Sequence, residues 1–325
     1  MGVLLIGSAT RLVVAIHDIA PRAGAGDFLA LADGADGGQG SITDLVSRNV
    51  RVNILLLAHG GAGGDNPDFT DTVIVLSIRP ASHMATVVAL PRYLWVTIPA
   101  GVHGELRGKL YTTYALAAES GPGFLKPQWT GPTGPGDLTA ATVSATIGEP
   151  VQYWVAIDTD AFATLIDAVG GIEVDIPAPL DDPSYPVGES GETTHVHFDA
   201  GPQMLDGARA LEYARSRLST SDADRQRRQE LVLVGIIRSL RSPRWSPSVL
   251  WSLGPMQDGV RTNLLPSDMR ALAQLMAGVH ESDVQRFTLD DSGLLQSQPL
   301  GTQYIEIPTD GTYAAVRAYV AARLP

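Results

Sequence analysis

Three runs dominated by apolar residues have the length and character of buried β-strands. They are Val52–Leu57, Thr72–Ile78 and Ala85–Leu90. Continuous apolar runs of this kind are typical of strands that are covered on both faces. The turn-forming sequence Arg79–Ser82 separates the second run from the third, which predicts that these two strands pair antiparallel.

Helical patterns alternate with further strand-like runs along the rest of the chain. A helix is predicted over Asp158–Val169, with Asp158 or Thr159 as its N-cap and Gly170–Gly171 at its end. The other predicted helices are Leu138–Ile147, Asp206–Ala214, Asp222–Leu240, Pro266–Val279 and Thr312–Ala322. The other predicted strands are Val151–Ile157, Ile172–Ile176 and Val284–Leu289. This alternation predicts an α/β fold with a mixed sheet.

Several segments lack either pattern. Residues 21–48 are rich in Gly, Asp and Ala and are predicted to be a linker. Residues 121–136 contain nine Gly or Pro and are predicted to be a loop, and residues 181–194 are polar and turn-rich. Met1–Ile16 is apolar apart from Arg11, which leaves two interpretations open: the stub of a membrane signal-anchor, or an ordinary first strand or helix.

Composition narrows the possible functions. The formal net charge of −12 argues against general nucleic-acid binding, and the absence of cysteine excludes disulfides, thiolate metal sites and cysteine nucleophiles. The chain has 21 arginines and 2 lysines, and nine of the arginines lie between Arg209 and Arg244. Because arginine suits bidentate recognition of phosphate and carboxylate, this uneven distribution indicates a pocket for one anionic ligand.

Aspartates follow the first predicted strand in a glycine-rich loop. Asp65, Asp68 and Asp71 lie within seven residues, at the end of a strand where α/β proteins place their ligands. Carboxylates there suit Mg²⁺, which binds to one or two protein carboxylates together with phosphate oxygens and water. The alternative is an ordinary turn in which these aspartates cap backbone groups.

Two arginine-bearing segments are candidates for the anion site. If the chain extends after Ala214, Arg215 and Arg217 point to the same side, whereas on a continuing helix they diverge. Further along, one stripe of the predicted helix turns from polar to apolar, so its polar members are expected to face the core: Arg225, Arg228 and Gln229. Buried arginines need an anion, which is either a multiply charged ligand or the neighbouring aspartates.

A histidine pair suggests a second site. On a strand, His195 and His197 lie on one side, with Asp181 and Asp182 upstream. The pattern fits either a metal-binding pair or a hairpin with two surface histidines, of which the hairpin is favoured.

Taken together, ordered segments of the chain resemble the LytR-CpsA-Psr (LCP) family of cell-wall glycopolymer phosphotransferases. The resemblance extends over about 190 residues, and its strongest block is Leu205–Gly207 with Ala210–Arg217. The other blocks, in order, are Asn53–Leu57 with Phe69–Thr72, Ala89–Arg92, Lys109–Tyr114, Asp167–Asp175 and Arg225–Gln229. The fold that the resemblance implies is an α/β/α sandwich with a central mixed sheet and an apolar groove for a lipid tail.

The resemblance implies transfer of a glycopolymer with one phosphate from a polyprenyl-pyrophosphate carrier to a hydroxyl of peptidoglycan. It implies Mg²⁺ held by Asp65 and Asp71, either of which would also accept the proton of the attacking hydroxyl. The catalytic group is then Asp71, Asp65, Arg92 and Arg217. The residues expected to bind the pyrophosphate are Arg92, Lys109, Arg215, Arg217, Arg225 and Gln229, to which the core-facing stripe adds Arg228.

Family members of this type act outside the bacterial plasma membrane, so a location in the cell envelope, anchored by the N-terminus at the membrane surface, is implied. Residues 1–49 are then a lead-in, residues 50–325 the catalytic domain and residues 245–325 its variable C-terminal layer. Three positions depart from the family pattern: His59 near a usual Asp, Phe69 at a usual Arg, and Tyr93 at a usual Asp. These departures keep two alternatives open: a pyrophosphatase acting on the same donor, and a non-catalytic module that binds the lipid carrier or the wall glycan.

Overall fold

The computed structural model describes residues 40–60, 68–101, 104–120, 123–187, 192–216, 222–239 and 259–324. Asp65, Arg217 and the apolar N-terminal segment lie outside these ranges. Within them, every helix is too short or too polar to cross a membrane.

In the described part of the chain, a mixed sheet of six strands forms the centre of the molecule. Its spatial order is β11-β6-β1-β2-β3-β12. The β1–β6 and β3–β12 pairs are parallel and the others antiparallel, including the predicted β2–β3 pair. The strands are β1 (Val52–His59), β2 (Thr70–Arg79), β3 (Met84–Ala89), β6 (Tyr153–Asp158), β11 (Val260–Thr262) and β12 (Val284–Thr288).

Strand β1 shows why these runs are apolar throughout. Its side chains alternate between the two faces of the sheet: Val52 and Ile54 pack into one hydrophobic cluster, and Leu55 and Leu57 into another. All four are at most 1% exposed. Because both faces are covered, both sets of positions must be apolar.

Helices cover the two faces of the sheet and complete an α/β/α sandwich. One face packs against α2 (Thr113–Glu119), α3 (Gly134–Ile147) and α8 (Ala314–Ala321). The other packs against α1 (Ile42–Ser47), α6 (Asp222–Ser239) and α7 (Pro266–Ala277). The predicted fold class, an α/β/α sandwich with a central mixed sheet, is confirmed.

A third hydrophobic cluster forms beside α6. Phe198, Tyr213 and Val232 are among its buried members, and they join the helices to two β-ribbons. The elements of this cluster are α4 (Thr159–Ala168), α5 (Gly207–Arg215), β7 (Ile172–Ile176), β8 (Leu180–Val187), β9 (Glu192–Phe198) and β10 (Gly201–Leu205). The predicted cap of α4 is present, since the Asp158 side chain accepts a hydrogen bond from the Ala161 backbone N–H at 2.8 Å.

Two further ribbons lie outside the central sheet, and the hydrophobic pattern did not predict them. They are β4 (Trp95–Gly101) with β5 (Gly104–Lys109), and β13 (Leu295–Leu300) with β14 (Gln303–Pro308). The backbone N–H of Glu306 donates to the carbonyl of Tyr93 at 3.1 Å. Strand β14 therefore lies beside the segment that leads into β4. Part of the variable C-terminal layer is thereby fixed next to the Pro91–Arg92 segment.

Three local expectations differ from the structure. Residues 134–136 begin helix α3 and are not loop, because proline is accepted in the first turn of a helix, where its missing N–H is not needed. Residues 181–187 and 192–194 belong to the β8–β9 ribbon despite their polarity, since this ribbon is largely exposed. Part of the predicted linker forms α1, whose Ile42 is fully buried and donates its N–H to Asp268 Oδ1 at 2.9 Å.

Candidate active site

A cavity of about 520 Å³ opens between one face of the sheet and helices α4, α5 and α6. Its apolar lining includes Leu56, Ile74, Val155 and Ile157 from the sheet, with Phe162, Leu165, Leu211, Val232, Leu233 and Ile236 from the helices. Burial of hydrocarbon against such a surface is favourable, by about 0.8 kcal/mol for each CH₂ group. The cavity therefore suits an apolar chain.

Charged and polar side chains also line this cavity. They include His59 at the end of β1 and Asp71 at the start of β2, together with Asp182, Arg215, Arg225 and Gln229. Asp71 and Arg215 are exposed enough to mark this side as open to solvent. A ligand that is apolar at one end and anionic at the other would find both of its parts accommodated here.

The structure thus brings together four residues assigned to the site from sequence: Asp71, Arg215, Arg225 and Gln229. They come from β2, from the end of α5 and from α6, and are up to 158 positions apart, as the numbers 71 and 229 show. Arg225 and Gln229 are one helical turn apart, 2% and 9% exposed, so the predicted core-facing stripe is indeed buried.

Arg92 connects Asp71 to a group of aromatic rings. Its Nη1 forms an ion pair with Asp71 Oδ1, and its Nη2 donates to the hydroxyl of Tyr93. The guanidinium carbon also lies 4.5 Å from the centre of the Tyr93 ring. Tyr93 therefore orients Arg92 at the position where the family pattern has an aspartate.

Lys109 lies next to Arg92 in a largely buried environment. Its Nζ is 5.0 Å from the centre of the Tyr93 ring and donates to Gln303 Oε1 at 2.5 Å. Burial, and secondly the charge of Arg92, lower the pKa of Lys109. Neither Lys109 nor Arg92 is among the described residues that line the cavity; they form a cationic group that contacts Asp71 through Arg92.

Arg228 is buried, but it is not among the described residues that line the cavity. Its Nε donates to the carbonyl of Tyr213 at 2.9 Å, and its Nη2 donates to the carbonyl of Ser216. These contacts satisfy carbonyl groups at the C-terminal end of α5 and favour a role in positioning Arg215, while its contact with a pyrophosphate stays a prediction.

Arg215 and Tyr185 meet at the end of α5. Burial raises the pKa of Tyr185, and the charge of Arg215, with a hydrogen bond between the two side chains, opposes that rise. Helix α5 ends at Arg215, and the chain is extended at Ser216 (φ −52°, ψ 136°). An extended chain here is the condition under which Arg215 and Arg217 were expected to point to the same side. Arg217 itself lies outside the described residues.

The histidine pair lies on the exposed β8–β9 ribbon. His195 Nε2 and His197 Nδ1 are 2.7 and 3.0 Å from the same oxygen of Asp181, and His197 Nε2 is 3.3 Å from Asp199. The hydrogen bond to Asp181 is the main cause that raises the pKa of His197. Among the described residues, no cluster of three or more His, Asp or Glu side chains is arranged to hold a metal. Both histidines are exposed on an antiparallel β-ribbon, as the interpretation of a hairpin with two surface histidines expects.

Sequence reasoning missed several members of this region. Asp182 lines the cavity although it is 1% exposed, and it was considered only as a metal ligand. Gln303 and Tyr304 reach the Arg92 group from the C-terminal layer. No local motif marks these residues, because their position depends on the pairing of β14 with the Tyr93–Leu94 segment.

The three-layer fold, with one cavity whose lining is mostly apolar and also contains arginine and aspartate side chains, defines an α/β/α sandwich with an amphipathic pocket. The LytR_cpsA_psr family model matches residues 34–314, and the chain belongs to this family. It is 26% identical over 239 residues to the polyisoprenyl-teichoic acid–peptidoglycan teichoic acid transferase TagV of Bacillus subtilis, covering 73% of this chain and 55% of that protein.

Other relatives agree with this assignment. The chain is 29% identical over 224 residues to the transferase TagU of Enterococcus faecalis, covering 68% of this chain and 64% of that protein. The chain thus spans about 55 to 64% of the length of these two relatives. The crystal structure of B. subtilis TagV superposes with a TM-score of 0.63 at 22% identity, covering 85% of this chain and 98% of that one. TagT bound to LIIa-WTA gives 0.62 at 21% identity, covering 89% and 98%. These structures confirm the fold.

Proposed function

We propose that this protein transfers a glycopolymer, with one phosphate, from a polyprenyl-pyrophosphate carrier to a hydroxyl group of peptidoglycan. The observation that carries the proposal is one cavity whose lining is apolar over most of its surface and includes Asp71, Arg215 and Arg225. The names of the relatives, teichoic acid transferases that act on peptidoglycan, support the same donor and acceptor classes.

The apolar part of the cavity would hold the polyprenyl chain of the donor. Side chains from the sheet and from α4, α5 and α6 surround this space, so a chain entering it would be shielded from water. The diphosphate would then lie at the open side, beside Arg215, Arg225 and Gln229. Guanidinium groups bind phosphate oxygens through paired, charge-assisted hydrogen bonds, each worth about 1.5–3 kcal/mol.

The reaction would be an in-line displacement at the phosphorus that carries the glycan. The acceptor oxygen forms a new P–O bond, the P–O–P bond breaks, and polyprenyl phosphate leaves with the electron pair. Phosphoryl transfer of this kind requires mainly positioning and neutralisation of charge, which the arginines provide. Asp71 is the carboxylate in reach of the open side and would accept the proton of the acceptor hydroxyl, while Arg92 fixes its orientation.

A magnesium ion would fit the site if protein carboxylates and the phosphate oxygens of the substrate bound it together. Among the described residues no cluster of protein ligands surrounds a metal position, but Mg²⁺ is commonly held by one or two carboxylates and by phosphate oxygens of the substrate. Asp71 would be the described ligand, with Asp65 as the second one. Such an ion would neutralise charge on the diphosphate and so assist departure of the leaving group.

The substrates of this reaction would place the protein outside the plasma membrane. Both the lipid carrier and peptidoglycan are reached from the membrane surface, so an N-terminal anchor would keep the cavity near the donor. The net charge of −12 disfavours non-specific attachment to anionic lipids, which makes a specific anchor or the lipid tail itself the expected link to the membrane.

The test is incubation of the purified protein with a polyprenyl-pyrophosphate-linked glycan, Mg²⁺ and undecorated peptidoglycan. Phosphodiester-linked product and free polyprenyl phosphate are expected from the wild type, and a loss of at least 100-fold from Asp71→Asn. Asp44→Asn is the matched control: Asp44 is also paired with an arginine and is equally exposed (44% against 42%), but it is not part of the described cavity lining.

The products also separate the alternatives. Release of polyprenyl phosphate without attachment to peptidoglycan would identify a pyrophosphatase. Tight donor binding without turnover, unaffected by removal of divalent ions with EDTA, would identify a binding module. Either result would overturn the proposal.

A further inference from the structure

Three tyrosine rings contact one another beside Arg92 and are here called the tyrosine platform: Tyr93, Tyr111 and Tyr304. The centres of the Tyr93 and Tyr304 rings are 5.0 Å apart at an interplanar angle of 53°, and those of Tyr93 and Tyr111 are 5.8 Å apart at 84°. Tyr304 is 46% exposed, one of the most exposed large hydrophobic side chains in the described part of the chain, and the other two rings are partly buried. An aromatic ring held in place and open to solvent is a feature of binding surfaces.

The C-terminal layer brings Tyr304 to this position. Strand β14 is fixed to the Tyr93 backbone through the Glu306 N–H, and Gln303 accepts a hydrogen bond from Lys109. The β13–β14 ribbon exposes side chains with amide and hydroxyl groups. By its register, Ser297 shares the face of Tyr304, Thr302 lies in the adjoining turn, and Gln296, Gln298 and Gln303 belong to the opposite face. The ribbon therefore presents an exposed aromatic ring with neutral donors and acceptors on the same ribbon.

This combination of groups matches the chemistry of a sugar chain. A pyranose ring has an apolar face of C–H groups, which packs against an aromatic ring, and hydroxyl and acetamido groups at its edge, which hydrogen-bond to amides. Two cations lie near Tyr93, with Arg92 at 4.5 Å and Lys109 at 5.0 Å from its centre. Arg92 also pairs with Asp71, which lines the cavity, so one side chain connects the platform to the open side of the proposed site.

The direction of the reaction selects which sugar chain binds here. Arg92 contacts both Tyr93 and Asp71, and Asp71 lines the cavity, so the platform adjoins the carboxylate proposed to accept the proton of the acceptor hydroxyl. In an in-line displacement the attacking and leaving oxygens are on opposite sides of the phosphorus. Because the lipid phosphate leaves towards the cavity and the attacking hydroxyl must reach Asp71, the acceptor is the substrate expected beside the platform.

We propose that the tyrosine platform, with Gln303, binds the acceptor glycan strand of peptidoglycan and presents its hydroxyl to the phosphate. This inference depends on the proposed transferase function for the identity of the acceptor. It assigns acceptor binding to the C-terminal layer, which the sequence analysis described only as variable.

The experiment compares Tyr304→Ala with two other variants of the full chain. Tyr304→Trp retains an aromatic face at the same place. Phe124→Ala removes a second exposed aromatic ring (52% exposed) next to Leu125, which pairs with Gly101 at the end of the β4–β5 ribbon remote from Lys109. Melting temperatures of all the variants are expected to equal that of the wild type, because both rings are largely exposed.

The first measurement is direct binding of a β-1,4-linked N-acetylglucosamine tetramer, with no donor present, by saturation-transfer NMR and titration calorimetry. Tyr304→Ala is expected to weaken binding about tenfold, while Tyr304→Trp and Phe124→Ala remain within about twofold of the wild type. Equal binding by the wild type and Tyr304→Ala, or loss in Phe124→Ala as well, would overturn the inference.

The second measurement is the transfer reaction with varied acceptor and varied donor. Tyr304→Ala is expected to raise the KM for peptidoglycan fragments about tenfold and to leave the KM for the lipid-linked donor unchanged. A rise in the donor KM alone would assign the platform to the donor glycan and refute the proposal. If the wild type transfers nothing, the transferase function fails, but the binding measurement still decides whether the platform holds a sugar chain.

Discussion

Replacement of Arg228 distinguishes a positioning role from a ligand-binding role. Arg228→Met keeps much of the buried volume and removes the guanidinium, which donates to the carbonyls of Tyr213 and Ser216. Hydrogen bonds from a charged donor contribute about 1.5–3 kcal/mol each, and the two together about 3–6 kcal/mol. Burial lowers the pKa of Arg228, because removing the guanidinium from water costs free energy. Part of the free energy of the two hydrogen bonds offsets this desolvation cost, and we therefore expect Arg228→Met to lower the free energy of unfolding by about 2–4 kcal/mol.

The expected loss is measurable by thermal and urea denaturation. At about 2–4 °C per kcal/mol for a domain of this size, Arg228→Met should lower Tm by about 5–15 °C. Arg227→Met is the matched control, because Arg227 is the adjacent residue but forms exposed ion pairs with Asp224 and Asp291, which are worth less than about 1 kcal/mol. At temperatures well below Tm, binding of a polyprenyl-pyrophosphate donor to Arg228→Met should weaken only to the extent that Arg215 is displaced. An unchanged Tm together with a 100-fold loss of donor binding would refute the positioning role.

Three further predictions concern the cavity and its surroundings. Arg215→Ala should weaken donor binding by about 1.5–3 kcal/mol, a 10- to 150-fold rise in Kd by calorimetry, while Tm stays near that of the wild type. Ile157→Trp should fill part of the cavity and prevent binding of lipid-linked donors, whereas a water-soluble pyrophosphate analogue should bind as before; equal loss of both would argue against separate lipid and phosphate regions. Burial raises the pKa of Glu230 to about 7, with opposing effects from Arg286 and Arg227 and a supporting one from Asp291. Because the folded-state pKa lies above the unfolded value, stability should fall as pH rises from about 4.5 to 7, by about 3 kcal/mol for this group, and Glu230→Gln should remove that dependence in urea titrations at several pH values.

The hydrophobic pattern alone determined the central strands and most of the helices. Runs such as Val52–Leu57 must be buried on both faces, because exposure of so many apolar groups costs far more than any local preference gains. Local signals were also sufficient at Asp158, where a side chain caps the backbone within three residues. The concentration of arginines near α5 and α6 indicated an anion site for the same reason: its residues lie within one short stretch of the chain.

Helix geometry explains why Arg225 and Arg228 could not be separated from sequence. Relative to Arg225, Gln229 is rotated by about 40° in one direction and Arg228 by about 60° in the other. All three face the protein interior, and a helical pattern predicts no more than that. The elements packed against this helix determine that Arg225 and Gln229 line the cavity, whereas Arg228 contacts the carbonyls at the end of α5.

Contacts between distant segments were decided by the tertiary structure. Lys109 and Gln303 are 194 positions apart, and their hydrogen bond depends on where β14 joins the edge beside Tyr93. A pairing of this kind is selected by the backbone hydrogen bonds and packing of the whole edge, to which each residue contributes little, so no short pattern encodes it. The sequence determined which elements exist and which charges they carry, while the packing of those elements determined which charges share one cavity and which aromatic rings lie beside Arg92.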